Sequence, residues 1–460
     1  MPEILNPKVL VVGGGPGGYV AAIRCGQLGL DTVLVEGERL GGTCLVRGCI
    51  PSKALIHAAD EFAAMTAAAQ QSRYGISLAA SPSLDFAAMV GWKDSIVDQL
   101  NGGVAALLKR AGVKVVQGWA RFTDAKSCTV ETEEGETVIR AEHVVLATGS
   151  LPVELPFLPF GGKVISSTGA LSLDELPRRF AIVGAGYIGL ELGIAFAKLG
   201  VSVSVVEAAN RILPQYDAKL SEPVRRSLEK LGIGLLLGTA AKAEVDEGLI
   251  VTVDDGEQLI EADRILVTVG RKPLTEGWGL EEMGLEMAGP FVKVDDHCAS
   301  STANVWAIGD LVGEPMLAHK ASAQGELVAE VIAGARRRFD PVAIPAVCFT
   351  SPEIVSVGVG PDAPDTVSAT FPFSANGRSL TMDAGDQGGF VRVVARTSDH
   401  RIVGVQAVGA HISELASTFA TAIEMGAVVE DIAGIVHAHP TLGEAFHEAS
   451  LKVAGHAIHI

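Results

Sequence analysis

The stretch Lys8-Val9-Leu10-Val11-Val12-Gly13-Gly14-Gly15-Pro16-Gly17-Gly18 predicts the fold of the N-terminal part of this chain. Its apolar run predicts a buried strand, and its glycines follow the spacing Gly13-x-Gly15-x-x-Gly18 before a helical stretch. A second strand, residues 32–35, ends on Glu36, which lies 23 residues after the first glycine. This order of strand, glycine turn, helix, strand and acid is typical of a dinucleotide-binding unit.

The same pattern returns later in the chain, between residues 180 and 207. A strand runs into Gly184-x-Gly186-x-x-Gly189, and the strand after the next helix ends on Glu207, again 23 residues after the first glycine. One such motif is a weak signal, whereas two copies with the acid in register are a strong one. The alternative is a pair of structural turns that bind nothing.

Each part of this pattern has a physical role. The first glycine makes a tight turn, the second lets the backbone approach a pyrophosphate, and the third lets helix and strand pack closely. The acid accepts hydrogen bonds from ribose hydroxyls and would repel a 2′-phosphate. Glu207 in the second copy therefore favours NAD over NADP.

The composition excludes several classes of protein. A chain of 460 residues, 48% hydrophobic and 20% charged, is expected to form two or three domains. Its net charge of -18 argues against nucleic acid and anionic membrane partners. No apolar run approaches the ~18 residues that a membrane span needs, and the N-terminal residues do not resemble a signal peptide. Six cysteines do not indicate a secreted disulfide scaffold, so we expect a cytoplasmic protein.

Two cysteines stand out within residues 41–53, Gly-Gly-Thr-Cys-Leu-Val-Arg-Gly-Cys-Ile-Pro-Ser-Lys. On a regular helix, the five residues from Cys44 to Cys49 rise ~7.5 Å, too far for a disulfide without distortion. Gly48 and Pro51 are residue types that let a helix start deform. Spacing alone leaves open a redox pair or two buried free cysteines.

The whole chain resembles the pyridine nucleotide–disulfide oxidoreductases, most closely the dihydrolipoamide-oxidising branch of that family. Besides the glycine turns and residues 41–53, the resemblance rests on Ala147-Thr148-Gly149, Gly186-Tyr187-Ile188-Gly189-Leu190-Glu191, Gly270-Arg271-Lys272-Pro273, Ala307-Ile308-Gly309-Asp310 and His437-Ala438-His439-Pro440-Thr441-Leu442-Gly443-Glu444. It implies an α/β fold with two Rossmann-like domains and a C-terminal α+β dimerisation domain. The expected boundaries are 1–150 for FAD, 151–270 for NAD, 271–340 completing the FAD domain, and 341–460 for the interface.

The resemblance also implies the residues of each site, and it implies no metal. The expected FAD-binding residues are Gly13, Gly15, Pro16, Gly17, Gly18, Glu36, Gly42, Thr43, Lys53, Gly118, Thr148, Gly149, Ser150, Asp310, Met316, Leu317, Ala318 and His319. The expected NAD-binding residues are Gly184, Gly186, Tyr187, Ile188, Gly189, Glu191, Glu207 and Gly270. The expected catalytic residues are Cys44, Cys49, Lys53, Glu191, His439 and Glu444.

The resemblance implies a particular role for each of these catalytic residues. Cys49 is expected beside the flavin, Cys44 exchanges with substrate, and Lys53 pairs with Glu191. His439 is expected to act as the acid–base group of the other subunit of a homodimer.

The glutamate that follows His439 has a second interpretation. By resemblance, Glu444 holds the His439 ring. However, Thr441 to Glu444 also fits a helix capping box, which would make Glu444 structural. His437 is expected to pack nearby without chemistry.

One departure from the family lies between the cysteines, where this chain has Val46 and Arg47. We hypothesise that the positive charge of Arg47 stabilises a thiolate; the alternative is that it points to solvent.

The resemblance leaves alternatives to a dihydrolipoamide-oxidising, NAD-dependent enzyme. A glutathione reductase-like enzyme would use NADPH, against which Glu207 argues, and a non-catalytic flavoprotein scaffold would not need the intact catalytic set. The expected partner is a lipoyl domain or a peripheral-subunit-binding domain of an acyltransferase core, while the sequence does not identify which complex.

Overall fold

The computed structural model describes residues 3–72, 74–133, 135–253 and 256–460. The first glycine motif lies in a parallel five-stranded sheet, ordered Val305–Ala307, His143–Leu146, Val9–Val12, Thr32–Glu36 and Lys114–Gln117. A smaller sheet beside it contains Glu3–Leu5, Gly135–Arg140, Ser127–Thr132 and Trp119–Phe122. The strand Val305–Ala307, which comes from residues 271–340, thus lies at the edge of the first sheet.

The second glycine motif lies in a sheet of the same design. Its parallel strands are Val164–Ile165, Arg264–Val267, Arg179–Val183, Ser202–Glu207 and Gly234–Leu237, in that order. An antiparallel sheet of Ala240–Val245, Gly248–Val253 and Gly256–Glu261 accompanies it. Ser150–Pro152 and Arg271–Pro273 pair where the chain enters and leaves this unit. The prediction of two Rossmann-like units is confirmed.

The C-terminal part forms an antiparallel sheet ordered Ala346–Cys348, Glu353–Gly358, Ile402–Gly409, Phe390–Arg396 and Thr366–Pro372. Antiparallel strands commonly alternate between buried and exposed residues, but Phe390–Arg396 and Ile402–Gly409 are buried almost throughout. The reason is that the sheet is covered on both faces. Val408 packs into the core around the second glycine motif, whereas Val405 packs against the C-terminal helices.

The helices connect and cover these sheets. They span Pro16–Gln27, Gly42–Arg47, Cys49–Gln70, Phe86–Arg110, Ser167–Leu171, Tyr187–Lys198, Ala218–Lys230, Ala318–Ile332, Gly377–Thr381, Ala416–Glu424, Val429–Gly434 and Glu444–Val453. Short 3-10 turns occupy Glu281–Met283, Gly309–Val312, Phe373–Ala375, Gly385–Gln387 and Ile412–Leu415, and Met287–Ala288 pairs with Phe291–Val292. Among the described residues, none of these helices is long and apolar enough to cross a membrane.

Candidate active site

The first glycine motif forms a turn in which side chains would not fit. Gly13 has φ +100°, and a Cβ on it would lie 2.2 Å from the carbonyl oxygen of Ala147. A Cβ on Gly18 would lie 1.7 Å from the carbonyl oxygen of Gly13. One oxygen of Glu36 accepts a hydrogen bond from the N–H of Gly14 at 2.6 Å. The turn therefore brings bare backbone and a carboxylate to the carboxyl ends of the parallel strands.

The second motif repeats this geometry. Gly184 has φ +103°, and a Cβ on Gly189 would lie 2.4 Å from the Gly184 carbonyl oxygen. Glu207 accepts hydrogen bonds from the N–H of Ala185 at 2.7 Å and of Ala209 at 2.8 Å. The predicted residue Gly270 follows the adjacent strand end with φ +136°.

A cavity of about 320 Å³ opens beside the first turn. The predicted residues that line it are Gly13, Gly15, Pro16, Gly17, Glu36, Gly42, Thr43, Cys44, Cys49, Lys53, Gly118, Thr148, Gly149, Ser150, Tyr187, Ile188, Glu191, Asp310, Met316 and Ala318. Gly18, Leu317 and His319 do not line it. Gly18 packs against the turn itself, and His319 contacts the carbonyl oxygen of Pro345 through Nε2 at 2.9 Å.

The two cysteines lie at a break between helices. The helix Gly42–Arg47 ends at Gly48, whose φ of -144° and ψ of -110° are not helical, and the next helix begins at Cys49. A Cβ at Gly48 would lie 2.8 Å from the carbonyl oxygen of Thr43. This break removes the regular rise that would separate the sulfurs, and the two thiols are hydrogen-bonded to each other.

Their surroundings favour a charge on one sulfur over the other. The hydrogen bond from Cys44, assisted by the charge of Lys53, lowers the pKa of Cys49 to about 7 against the opposing effect of burial. The same hydrogen bond, together with burial, raises the pKa of Cys44. Cys49 is therefore the sulfur that the site holds as a thiolate when the pair is reduced.

Lys53 extends from the second of these helices to Glu191. Its Nζ lies 2.7 Å from Oε2 of Glu191, whose side chain is 5% exposed. Oε1 of Glu191 accepts a hydrogen bond from the backbone N–H of Phe349 at 2.8 Å. Glu191 was predicted for both the catalytic and the NAD-binding sets, and the structure places its carboxylate on Lys53 at the cavity wall.

Asp310 lies in the part of the cavity wall formed by residues 308–321. Its Oδ2 accepts a hydrogen bond from the hydroxyl of Ser150 at 2.5 Å, and Arg271 donates to the same hydroxyl at 2.8 Å. Burial lowers the pKa of Arg271, although Asp310 and Tyr187 oppose the shift. The chain thus supplies a carboxylate, a hydroxyl and a guanidinium together.

Arg47 lines the same cavity as the two cysteines and pairs there with a carboxylate, and its effect on a thiolate stays a prediction. Its guanidinium forms an ion pair with Glu38. Burial raises the pKa of Glu36, and the N–H of Gly14 and the charge of Arg47 oppose this shift without reversing it. The charge of Arg47 therefore acts on the two carboxylates Glu36 and Glu38 of the cavity.

His439 lies outside the cavity of its own chain. Its side chain is 78% exposed, and its Nδ1 lies 2.9 Å from Oε1 of Glu444. The other oxygen of Glu444 accepts the N–H of Thr441 at 2.8 Å. Burial raises the pKa of Glu444, but these two partners outweigh it and hold the pKa below its ordinary value. The helix begins at Glu444 with Gly443 as its N-cap, so Thr441 does not cap it, and the structural interpretation of a capping box is wrong.

His437 packs as expected. Its ring stacks on that of His447 with centroids 4.7 Å apart, and its Nε2 lies 3.2 Å from the carbonyl oxygen of Ile432.

Family models match most of the chain. The model described as "Pyridine nucleotide-disulphide oxidoreductase" matches residues 7–325, and its "dimerisation domain" matches residues 344–450. The chain belongs to the pyridine nucleotide–disulfide oxidoreductase family. It is therefore an oxidoreductase of the family that uses FAD and NAD, and it carries that family's dimerisation domain.

Several relatives match over their full length. Dihydrolipoyl dehydrogenase of Pseudomonas aeruginosa is 59% identical over 467 residues, covering 100% of both chains. The enzymes of that name from Halobacterium salinarum and Geobacillus stearothermophilus are 47% and 43% identical, each over 97% or more of both chains. Among solved structures, LpdA of Mycobacterium tuberculosis aligns with a TM-score of 0.87 at 25% identity, covering 98% of this chain and 99% of that one.

A further solved structure shares the fold at lower identity. The flavoprotein disulfide reductase RclA of Escherichia coli aligns with a TM-score of 0.86 at 24% identity, covering 98% of this chain and all of that one.

Several residues of the cavity region were not predicted as site residues, among them Arg271, Trp119 and Phe349. Arg271 lies within the motif Gly270-Arg271-Lys272-Pro273, so the sequence offered a signal for it. Trp119 lies on Gly37, where a Cβ would come within 2.6 Å of its ring. Phe349 carries no motif, and only the tertiary structure brings it to Lys53.

Proposed function

We propose that this chain is an NAD-dependent dihydrolipoyl dehydrogenase, which oxidises protein-bound dihydrolipoamide to lipoamide. In the net reaction, the dithiol loses two electrons and two protons, and NAD gains a hydride while one proton is released. The observation that carries this proposal is the Cys44–Cys49 pair in the cavity of the first glycine turn, with Lys53 and Glu191 beside it. Full-length relatives of the same name support it.

The residues of the cavity fit FAD. Gly13 and Gly18 leave no room for side chains at the turn, Glu36 offers a carboxylate to ribose hydroxyls, and Asp310 offers another beside the cysteine region. When bound, FAD supplies two-electron transfer between a dithiol and the nicotinamide nucleotide. We propose that Glu207 and the second turn hold NAD in the corresponding way.

The chain's own residues perform the thiol chemistry. In the oxidised enzyme, a substrate thiolate attacks the Cys44 sulfur, the Cys44–Cys49 bond breaks, and Cys49 leaves as a thiolate stabilised by Lys53. The second substrate thiol then attacks the mixed disulfide, which releases the cyclic disulfide and leaves Cys44 reduced. His439 removes the substrate protons, and Glu444 orients its ring.

We propose that His439 serves the cysteines of a second subunit. Its imidazole is largely exposed and lies outside the cavity of its own chain, and the dimerisation domain extends over the segment that contains it. A homodimer would thus have two sites, each built from both chains.

The remaining assignments form part of the same proposal. FAD would be held by residues 1–150 with 271–340, NAD by 151–270, and the dimer contact by 341–460. The substrate would be presented by a lipoyl domain, or by an acyltransferase core through its peripheral-subunit-binding domain, in the cytoplasm.

The test is NAD reduction by dihydrolipoamide with the purified enzyme. Rapid NADH formation that is lost in Cys44→Ser is expected, with NADP a poor substitute. No turnover with dihydrolipoamide, together with NADPH-driven reduction of another disulfide, would contradict the proposal.

A further inference from the structure

Phe349, from the C-terminal sheet, contacts the charged group beside the cysteines. It directly follows the strand Ala346–Cys348, and its ring centroid lies 4.4 Å from Nζ of Lys53. A cation within about 6 Å of an aromatic centroid is attracted to the negative face of the ring. The ring and the carboxylate of Glu191 are thus both partners of the same ammonium.

The segment around Phe349 is attached to the rest of the molecule at several points. The backbone N–H of Phe349 donates to Glu191, and the thiol of Cys348 lies 3.3 Å from the hydroxyl of Tyr216. The carbonyl oxygen of Pro345 lies 2.9 Å from Nε2 of His319. These contacts reach Glu191 on the helix Tyr187–Lys198, Tyr216 before the helix Ala218–Lys230, and His319 on the helix Ala318–Ile332. The position of the ring is therefore set by the packing of three parts of the fold against one another.

We propose that Phe349 is a positioning residue that holds the Lys53 ammonium beside Cys49 and so stabilises the Cys49 thiolate. The inference deepens the proposed function, and it rests on that function for the role of the thiolate.

The charges around Cys49 determine the direction of the effect. On its own segment these are Cys44 and Lys53, while Glu191 and Tyr187 face it from the helix Tyr187–Lys198, and Arg271 from the strand Arg271–Pro273.

Of these charges, Lys53 lowers the pKa of Cys49, and Glu191 raises it. The Lys53 side chain is 31% exposed, so loss of the ring frees it to turn toward water. The attraction between the Lys53 ammonium and the Cys49 thiolate then weakens, while the repulsion between that thiolate and the Glu191 carboxylate remains.

The experiment is a pH titration of the Cys49 thiolate in the reduced holoenzyme. Alkylation by iodoacetamide is quantified at Cys49 by peptide mass spectrometry across the neutral range. Wild type is expected to show a midpoint near the pKa of about 7. Phe349→Leu should move that midpoint upward by about half a pH unit or more, whereas Phe349→Tyr, which keeps the ring, should retain it.

The matched control is Phe390→Leu in the same sheet. Its ring lies 5.1 Å from Arg392 rather than from Lys53, so its loss should leave the midpoint unchanged. An unchanged midpoint in Phe349→Leu, an equal shift in Phe390→Leu, or a shift in Phe349→Tyr as large as in Phe349→Leu would overturn the inference.

A second substitution covers the case in which Phe349→Leu does not fold. Trifluorinated phenylalanine at position 349 keeps the ring shape and removes its negative face, so it should also raise the midpoint; no shift would overturn the inference. Wild-type NAD reduction by dihydrolipoamide is a separate measurement, so failure of the proposed function is distinguishable.

Discussion

Glu36 and Glu207 occupy equivalent positions in the two parallel sheets. Each ends the strand next to its glycine turn, and each accepts the N–H of the residue after the first glycine, Gly14 at 2.6 Å and Ala185 at 2.7 Å. Each also accepts a second N–H two residues further along the chain, at 2.8 Å. The shared geometry predicts two dinucleotide sites that are to be distinguished by experiment.

Glu207→Ala should reduce the preference for NAD. Loss of an acceptor for ribose hydroxyls costs about 1 to 2 kcal/mol, so kcat/KM for NAD should fall about tenfold, while the value for NADP should rise relative to it. Steady-state kinetics with both nucleotides measure the change. Glu36→Ala is the matched substitution and should lower flavin retention without altering the NAD/NADP ratio; the same change in ratio in both variants would contradict the assignment.

Gly18→Ala should disrupt the first turn. Its Cβ would lie 1.7 Å from the Gly13 carbonyl oxygen, so the backbone must shift, at a cost on the order of 3 kcal/mol. Lower flavin content and a lower unfolding temperature are the measurements. Gly91→Ala, in the helix Phe86–Arg110 with no atom near the new Cβ, should instead stabilise the protein by roughly 0.5 kcal/mol. Normal flavin content in Gly18→Ala would refute the close-packing argument.

Replacement of Cys44 should change the titration of Cys49 according to the hydrogen bond that remains. Cys44→Ala removes the donor and should raise the pKa of Cys49 above about 7. Cys44→Ser keeps a hydroxyl donor and should raise it less. Thiolate absorbance of the reduced protein against pH measures both, with Cys128→Ala as a control for loss of a buried thiol. Equal midpoints in the serine and alanine variants would argue against the hydrogen bond.

The same shift predicts a pH dependence for the stability of the reduced form. The pKa of Cys49 is lowered from 9.0 to about 7. Its thiolate therefore adds to the free energy of unfolding in full above pH 9.0, and this stabilisation is lost as the pH falls through about 7. Denaturation of reduced wild type across this range should show that decline. Its absence would mean that the folded state does not favour the thiolate.

His439→Gln should lower kcat by roughly a hundredfold or more, because general acid–base groups contribute factors of that size. Glu444→Ala should lower it less, since the imidazole remains. His437→Gln is the matched control: it loses the stack on His447 and should keep most of the activity. Similar losses in His439→Gln and His437→Gln would indicate a structural role for the segment.

Mixed dimers should reveal which chain supplies the histidine. In a heterodimer of Cys44→Ser and His439→Gln chains, a site shared between subunits leaves one intact site, with about half the activity of the wild-type dimer. Both homodimers serve as controls and should be inactive. A heterodimer as inactive as its parents would place His439 and the cysteines of each site in a single chain.

The sequence alone determined the local features of this protein. Strand, turn and helix follow from short-range patterns, so both glycine units, with Glu36 and Glu207 at their strand ends, were predictable to within a few residues. The resemblance supplied many of the cavity residues, because family motifs record contacts between distant segments.

Only the tertiary structure decided how distant parts meet. Sheet packing on both faces made the strand Phe390–Arg396 continuously buried, against the alternation common in antiparallel strands. The pairing of Arg47 with Glu38 was likewise not predictable from the spacing of the cysteines. Domain packing brought Phe349 onto Lys53. Such contacts depend on the three-dimensional meeting of segments far apart in the chain, for which no local spacing rule exists.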